Sequence, residues 1–132
     1  MAEGQRLVLL LHDGGWERLF QAASCAATAS STGWTVDVVL YFEALRKWLD
    51  GRVDEVSGST VSVEAVEERI SRPPSALFEL ARAQGKTRIL ACTASLGLLG
   101  IDPSEAGDRV DELVGWPTVT ALMERAQHVL YL

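Results

Sequence analysis

The chain is poor in the residues that most often announce a site: 132 residues hold two cysteines, two histidines and four prolines. The cysteines, Cys25 and Cys92, lie far apart, and neither belongs to a CxxC pair, so the usual zinc spacings and a thioredoxin-type dithiol are excluded. Two histidines and two cysteines form no metal cluster at a familiar spacing, and no metal is expected. A structural disulfide is not expected either, in a reducing cytosol. Positive charge is short as well: 12 Lys and Arg stand against 18 Asp and Glu, for a formal net charge of −6, with no basic run. Phosphate backbones need clustered cations, so nucleic acid is not an expected partner.

Long apolar runs are also missing. Leu7 to Leu11 is far below the roughly 20 residues that span a bilayer. Met1 to Arg6 lack the basic start and apolar run of a secretory signal, which points to a cytoplasmic protein without a membrane partner. There is no GxGxxG, no GxxxxGK[ST] and no GxSxG, so dinucleotide, P-loop and hydrolase sites find no support, and no cofactor is expected.

What is present is an ordinary globular composition, 48% hydrophobic and 23% charged, in a length that suits one core, so residues 1–132 are read as a single domain. Arg6 to His12 is a continuous apolar run closed by Asp13-Gly14-Gly15, as expected of a strand covered on both faces. Trp16 to Ser31 is Ala-rich with helical spacing, and Gly33 follows it. Thr35 to Phe42 reads as a second strand and Glu43 to Leu49 as a short helix. The signal then degrades from Arg52 to Arg72, where Val63, Val66 and Ile70 would line an acidic helix in a peripheral lid or variable insertion. Pro73-Pro74 opens a helix that stops at Gly85, and Thr87 to Cys92 is a third strand. Thr93-Ala94-Ser95 caps a short helix, Gly100 to Pro103 reads as loop, and Val110 to Val114 as a weaker strand. A helix over Pro117 to Gln127 and a strand over His128 to Leu132 complete the chain. Such alternation demands crossover connections, hence an α/β three-layer, flavodoxin-like sandwich with a mostly parallel five-stranded sheet.

In open parallel sheets, ligands bind beyond the carboxyl ends of the strands. That rule selects His12 to Gly15, Tyr41 to Glu43, and Cys92 to Ser95. Cys92 leaves a buried strand for a helix start, where amide hydrogens favour a thiolate; small neighbours leave room for a persulfide or sulfenic acid. A buried cysteine serving as a small hydrophobe is the alternative. His12 falls at the same sheet end and would shuttle protons to Cys92 if their strands are neighbours; His128 belongs at the other end. The candidate catalytic residues are therefore Cys92 and His12. Candidate ligand-binding residues are Asp13, Gly14 and Gly15, whose turn could face an anion, and Thr93, Ala94 and Ser95. Cys25, among small residues of a helix, reads as packing. Trp116, between Gly115 and Pro117, reads as packing, pocket border or subunit contact.

The Ala-rich first helix, Gly33 before an apolar strand, the Leu77 to Gly85 helix and Ile89-Leu90-Ala91-Cys92 before a small-residue helix start together resemble the DsrE/DsrF-like family over nearly the whole chain. The resemblance implies a flavodoxin-like sheet and homo-oligomers, trimers or hexamers. In the family's sulfur-relay members it implies a cysteine after the third strand that carries persulfide sulfur, the position of Cys92. Sulfur donor and acceptor proteins would then be partners. A non-catalytic module of the same fold, binding a ligand or assembling with itself, is the second expectation.

Overall fold

The structure is a computed structural model that describes residues 4–132. Arg6–Leu11 (β1) and Thr35–Leu40 (β2) are short Leu- and Val-rich segments of the kind that a sheet covered on both faces buries, and five of six residues in each are buried. Between them lies Trp16–Ser31 (α1), whose Ala22, Ala23, Ala26 and Ala27 let the helix sit close on the sheet. Phe42–Leu49 (α2), Val63–Arg69 (α3) and Pro74–Ala83 (α4) connect β2 to Thr87–Cys92 (β3). Thr93–Leu99 (α5) and Pro103–Ala106 (α6) lead to Glu112–Val114 (β4), and Trp116–Arg125 (α7) leads to His128–Tyr131 (β5).

All five strands are parallel, in the order β4-β3-β2-β1-β5. The chain steps in one direction from β1 to β4, and right-handed crossovers keep those connecting helices on one face. It then runs back across the sheet to the free edge of β1, which puts α7 on the opposite face. Two cores result. Leu7, Leu9 and Leu11 join α1, α2 and α4 on the front, where Phe78 is fully buried; Val8, Leu10, Val39, Leu90 and Cys92 meet Val119 and Leu122 of α7 on the back. This is the expected three-layer sandwich, with a wholly parallel sheet. Its order differs from the 2-1-3-4-5 of flavodoxin itself, and the direction of travel reverses between β1 and β5.

Strands apolar throughout were expected, but they are not so, because α7 alone does not cover the back of five strands. At the amino ends of β2 and β3 the back face is ionic. Fully buried Asp37 accepts from Arg6 at 2.7 Å and from Arg88 at 2.9 Å, and Arg88 reaches Glu112 at 3.2 Å. Four adjacent strands are laced across their width in this way.

The weak stretch from Arg52 to Arg72 is peripheral. The α3 helix buries none of its residues, Val63 is exposed, and the helix ends before Ile70, so the expected apolar face does not form. Side chains hold the segment instead: Glu17 accepts from the N–H and hydroxyl of Thr60, which lowers the Glu17 carboxyl below its ordinary range, and Asp54 accepts from Ser75. Pro103, expected as the end of a loop from Gly100, instead opens α6, because Asp102 caps it by accepting from the Ser104 N–H at 2.9 Å and Pro103 fits its first turn.

Candidate functional site

Register brings the carboxyl ends into a row. Leu11 pairs with Leu40, Leu40 with Ala91, and Cys92 with Val114. One residue on, His12, Tyr41 and Cys92 stand abreast, Tyr41 in the middle, and the Tyr41 N–H donates to the Leu11 carbonyl at 2.9 Å. Period-2 alternation sends all three side chains to the back face with Leu10 and Leu90. Because β2 separates β1 from β3, His12 and Cys92 lie two strand spacings apart, roughly 10 Å. The strands of His12 and Cys92 are not neighbours, so the condition for His12 to shuttle protons to the thiol is not met, and Tyr41 stands beside it on the intervening strand.

Cys92 is the last residue of β3 and the N-cap of α5, with extended backbone (φ −72°, ψ 121°). It belongs to the back core with Val39, Tyr41, Leu90 and Val114 and is only 4% exposed. Thr93 and Ala94 are exposed on the first turn of α5; Ser95 is fully buried, and its Oγ has no hydrogen-bond partner. The Tyr41 hydroxyl is likewise buried without a partner. Burial, then the nearby Cys92 and Tyr131, push the Tyr41 phenol well above its ordinary value. It therefore stays protonated and can donate to a thiolate, but it is no base.

The sign of that shift sets an alkaline limit. A phenol held neutral in the folded state contributes stability below its ordinary pKa of about 10, and the contribution is lost as pH rises above it. Tyr41→Phe is expected to shrink the loss of urea resistance between about pH 10 and pH 12, measured against the native chain.

The turn after β1 is gripped by α2. The Gly14 N–H donates to Glu43 Oε1 at 2.8 Å, and Lys47 Nζ, one helical turn on and buried, donates to the Gly14 carbonyl at 2.7 Å. The Gly15 N–H donates to Asp13 Oδ1 at 2.7 Å. A side chain at Gly14 would collide with that of Glu43. Both glycine amides are thus filled by carboxylates, and an anion approaching Asp13, Gly14 and Gly15 meets like charge.

Beside Tyr41 a cavity of about 320 Å³ opens between the ends of β1, β2 and β5, lined by Leu10, His12, Tyr41, Phe42, Trp116 and Tyr131. The Tyr41 and Trp116 rings stack with centroids 5.6 Å apart and planes inclined by 27°. Phe42 opens α2 at φ +41°, a conformation disfavoured for a bulky residue. Cys92 does not line this cavity; Tyr41 separates them. Trp116 therefore borders a pocket, one of the three readings open to it. Tyr41 lies at a strand end that the carboxyl-end rule selects, and alternation from Val39 puts it on the back face; Tyr131, on β5, is the aromatic lining residue that sequence reasoning missed. A larger hollow of about 510 Å³, with Cys25, Trp34, His128 and Leu130 in its walls, lies by the amino end of β5, remote from the row. Cys25 and Cys92 are free and on opposite sides of the sheet, and burial raises the Cys25 thiol. Among the described residues no cluster of His, Cys, Asp and Glu could hold a metal ion, and no helix is long and apolar enough to cross a membrane.

Fold and site together define a parallel α/β sandwich with a thiol and an aromatic cavity at the carboxyl end of its sheet. In solved structures the chain is similar to a protein of unknown function, MTH1491 from Methanobacterium thermoautotrophicum, with a TM-score of 0.59 and 15% identity over 97% of this chain and 99% of that one. That likeness concerns the fold. No family model matches the chain, and no curated protein matches its sequence.

Proposed function

We propose that this chain is a small cytoplasmic thiol protein of the DsrE/DsrF-like kind that carries sulfane sulfur on Cys92. The observation that supports it best is the setting of that thiol: at a strand-to-helix junction on the carboxyl end of the sheet, in one core with a phenol whose buried hydroxyl has no hydrogen-bond partner. Leaving a buried hydroxyl unpaired costs about 1–3 kcal/mol, and a thiolate or persulfide anion would supply the missing acceptor. The Cys92 thiolate attacks the outer sulfur of a donor persulfide, R–S–SH. The donor S–S bond breaks, a new one forms on Cys92, and R–S⁻ leaves with the bonding pair, so no net oxidation occurs. Burial of the thiol means that Tyr41 must swing aside for the exchange.

Incubation with glutathione persulfide followed by intact-mass and peptide mass spectrometry is expected to find one added sulfur, about 32 Da, on Cys92 and none in Cys92→Ser. A folded protein whose Cys92 neither gains sulfur nor alkylates refutes the carrier and leaves the non-catalytic module. Self-assembly belongs to the same proposal: β5 is an edge strand with Leu130 and Tyr131 exposed, and such edges invite pairing. Light scattering is expected to return a trimer or hexamer; a monomer at all concentrations rejects it.

A further inference from the structure

Among the described residues a single helix covers the back of the sheet, and α7 crosses that face on a diagonal, from the end of β4 at Trp116 to the start of β5 at His128. Two corners stay bare. The one at the amino ends of β2 and β3 is closed by the ion pairs of Asp37. The other, at the carboxyl ends of β1 and β5, is where the strand order reverses, the place at which α/β sheets take ligands, and it is aromatic rather than ionic.

The composition of this corner is selective. Leu10 lies among its walls, Tyr41 and Trp116 stack along one another, and Phe42 and Tyr131 are both exposed. No lysine or arginine lines it, and the carboxylates that follow lining His12 and Phe42, those of Asp13 and Glu43, already fill the two glycine amides that an anion would need. Holding Phe42 at positive φ costs on the order of 1–3 kcal/mol, and such strain collects at ligand sites. Tyr41 is 7% exposed, so it lines the cavity from the core side.

The geometry points to a binding site for a planar aromatic molecule that bears no anionic group, held by stacking and, where the ring is cationic, by attraction to the faces of Trp116, Tyr41 and Tyr131. About 320 Å³ lies at the low end of small-molecule sites and suits a bicyclic ring. The phosphate-bearing ligands common at this point of related sheets are excluded by the occupied amides. The inference is independent of sulfur chemistry at Cys92.

The full chain, labelled with ¹⁵N, is titrated with indole, 1-methylquinolinium and 2-naphthoate while the Trp116 indole N–H signal, assigned by its loss in Trp116→Phe, is followed. Indole and 1-methylquinolinium are expected to shift it saturably, with 2-naphthoate at least tenfold weaker. Tyr131→Ala, at an exposed position that should not disturb folding, is expected to weaken both binders at least fivefold, whereas Cys92→Ser changes them less than twofold. Absence of a saturable shift, or equal binding of 2-naphthoate, overturns the assignment. So does a corner closed by a second copy, shown by Tyr131→Ala dissociating an oligomer and only the dissociated form taking the rings.

Discussion

Replacing both Arg6 and Arg88 by Met is expected to cost the fold about 3–5 kcal/mol, because it strands the Asp37 carboxylate in the interior. Asp37 is fully buried and takes both of its ion pairs from these two side chains, at 2.7 and 2.9 Å. The guanidiniums themselves are partly exposed, so each arginine alone gives up little when it turns to solvent, and either single change should cost clearly less than half of the double one. The pair is then strongly non-additive. The third step of the cycle decides the cause: adding Asp37→Leu to the double variant removes the stranded charge and should recover most of the loss, since an apolar side chain of similar volume replaces a buried ion cluster with little penalty. Urea midpoints of the four variants and the native chain measure this. Additive single changes, or a triple variant no better than the double, would mean that the ladder is surface decoration. The loss is large against the 5–15 kcal/mol that holds a typical domain together.

The same ladder shows where a sequence can be read and where it cannot. Leu7 to Leu11 and Val36 to Leu40 declare covered strands through composition alone, and the layers follow from their alternation with helices. Asp37 interrupts the second of those runs in plain view, as Arg88 does the third strand. Their meaning depends on strand order, which sets β2 between β1 and β3 and so lets one carboxylate meet arginines from both sides. Strand order likewise separates His12 from Cys92, two residues that local sequence places at the same end of the sheet. The grip on Gly14 was half legible: Glu43 and Lys47 share a helix face four residues apart, but nothing local says that the face meets the turn after β1. Alternation alone does connect Leu90 with Cys92 and Leu10 with His12 on the back face. Asp102-Pro103-Ser104-Glu105 carried the start signals of α6, which a following glycine obscured.

Cutting Trp116 back to Ala is expected to raise the alkylation rate of Cys92 by iodoacetamide at least tenfold while the chain stays folded. The thiol is closed in by Tyr41, and the face of Tyr41 is held by Trp116, whose own side chain is exposed and contributes little to either core. Reaction at a buried group proceeds through the open population, so loosening the ring that covers it multiplies the rate by the gain in that population, and about 1.4 kcal/mol of lost stacking and packing suffices for tenfold. Tyr41→Phe separates covering from chemistry. It keeps the ring and removes the hydroxyl, so access is unchanged, and any fall in rate at fixed pH reports the loss of a donor to the thiolate. Cys25 provides an internal control on the opposite side of the sheet, since neither change should alter its alkylation. If instead Trp116→Ala leaves Cys92 unreactive until the chain unfolds in urea, the sulfur is a packing atom, and a carrier role at this position is untenable.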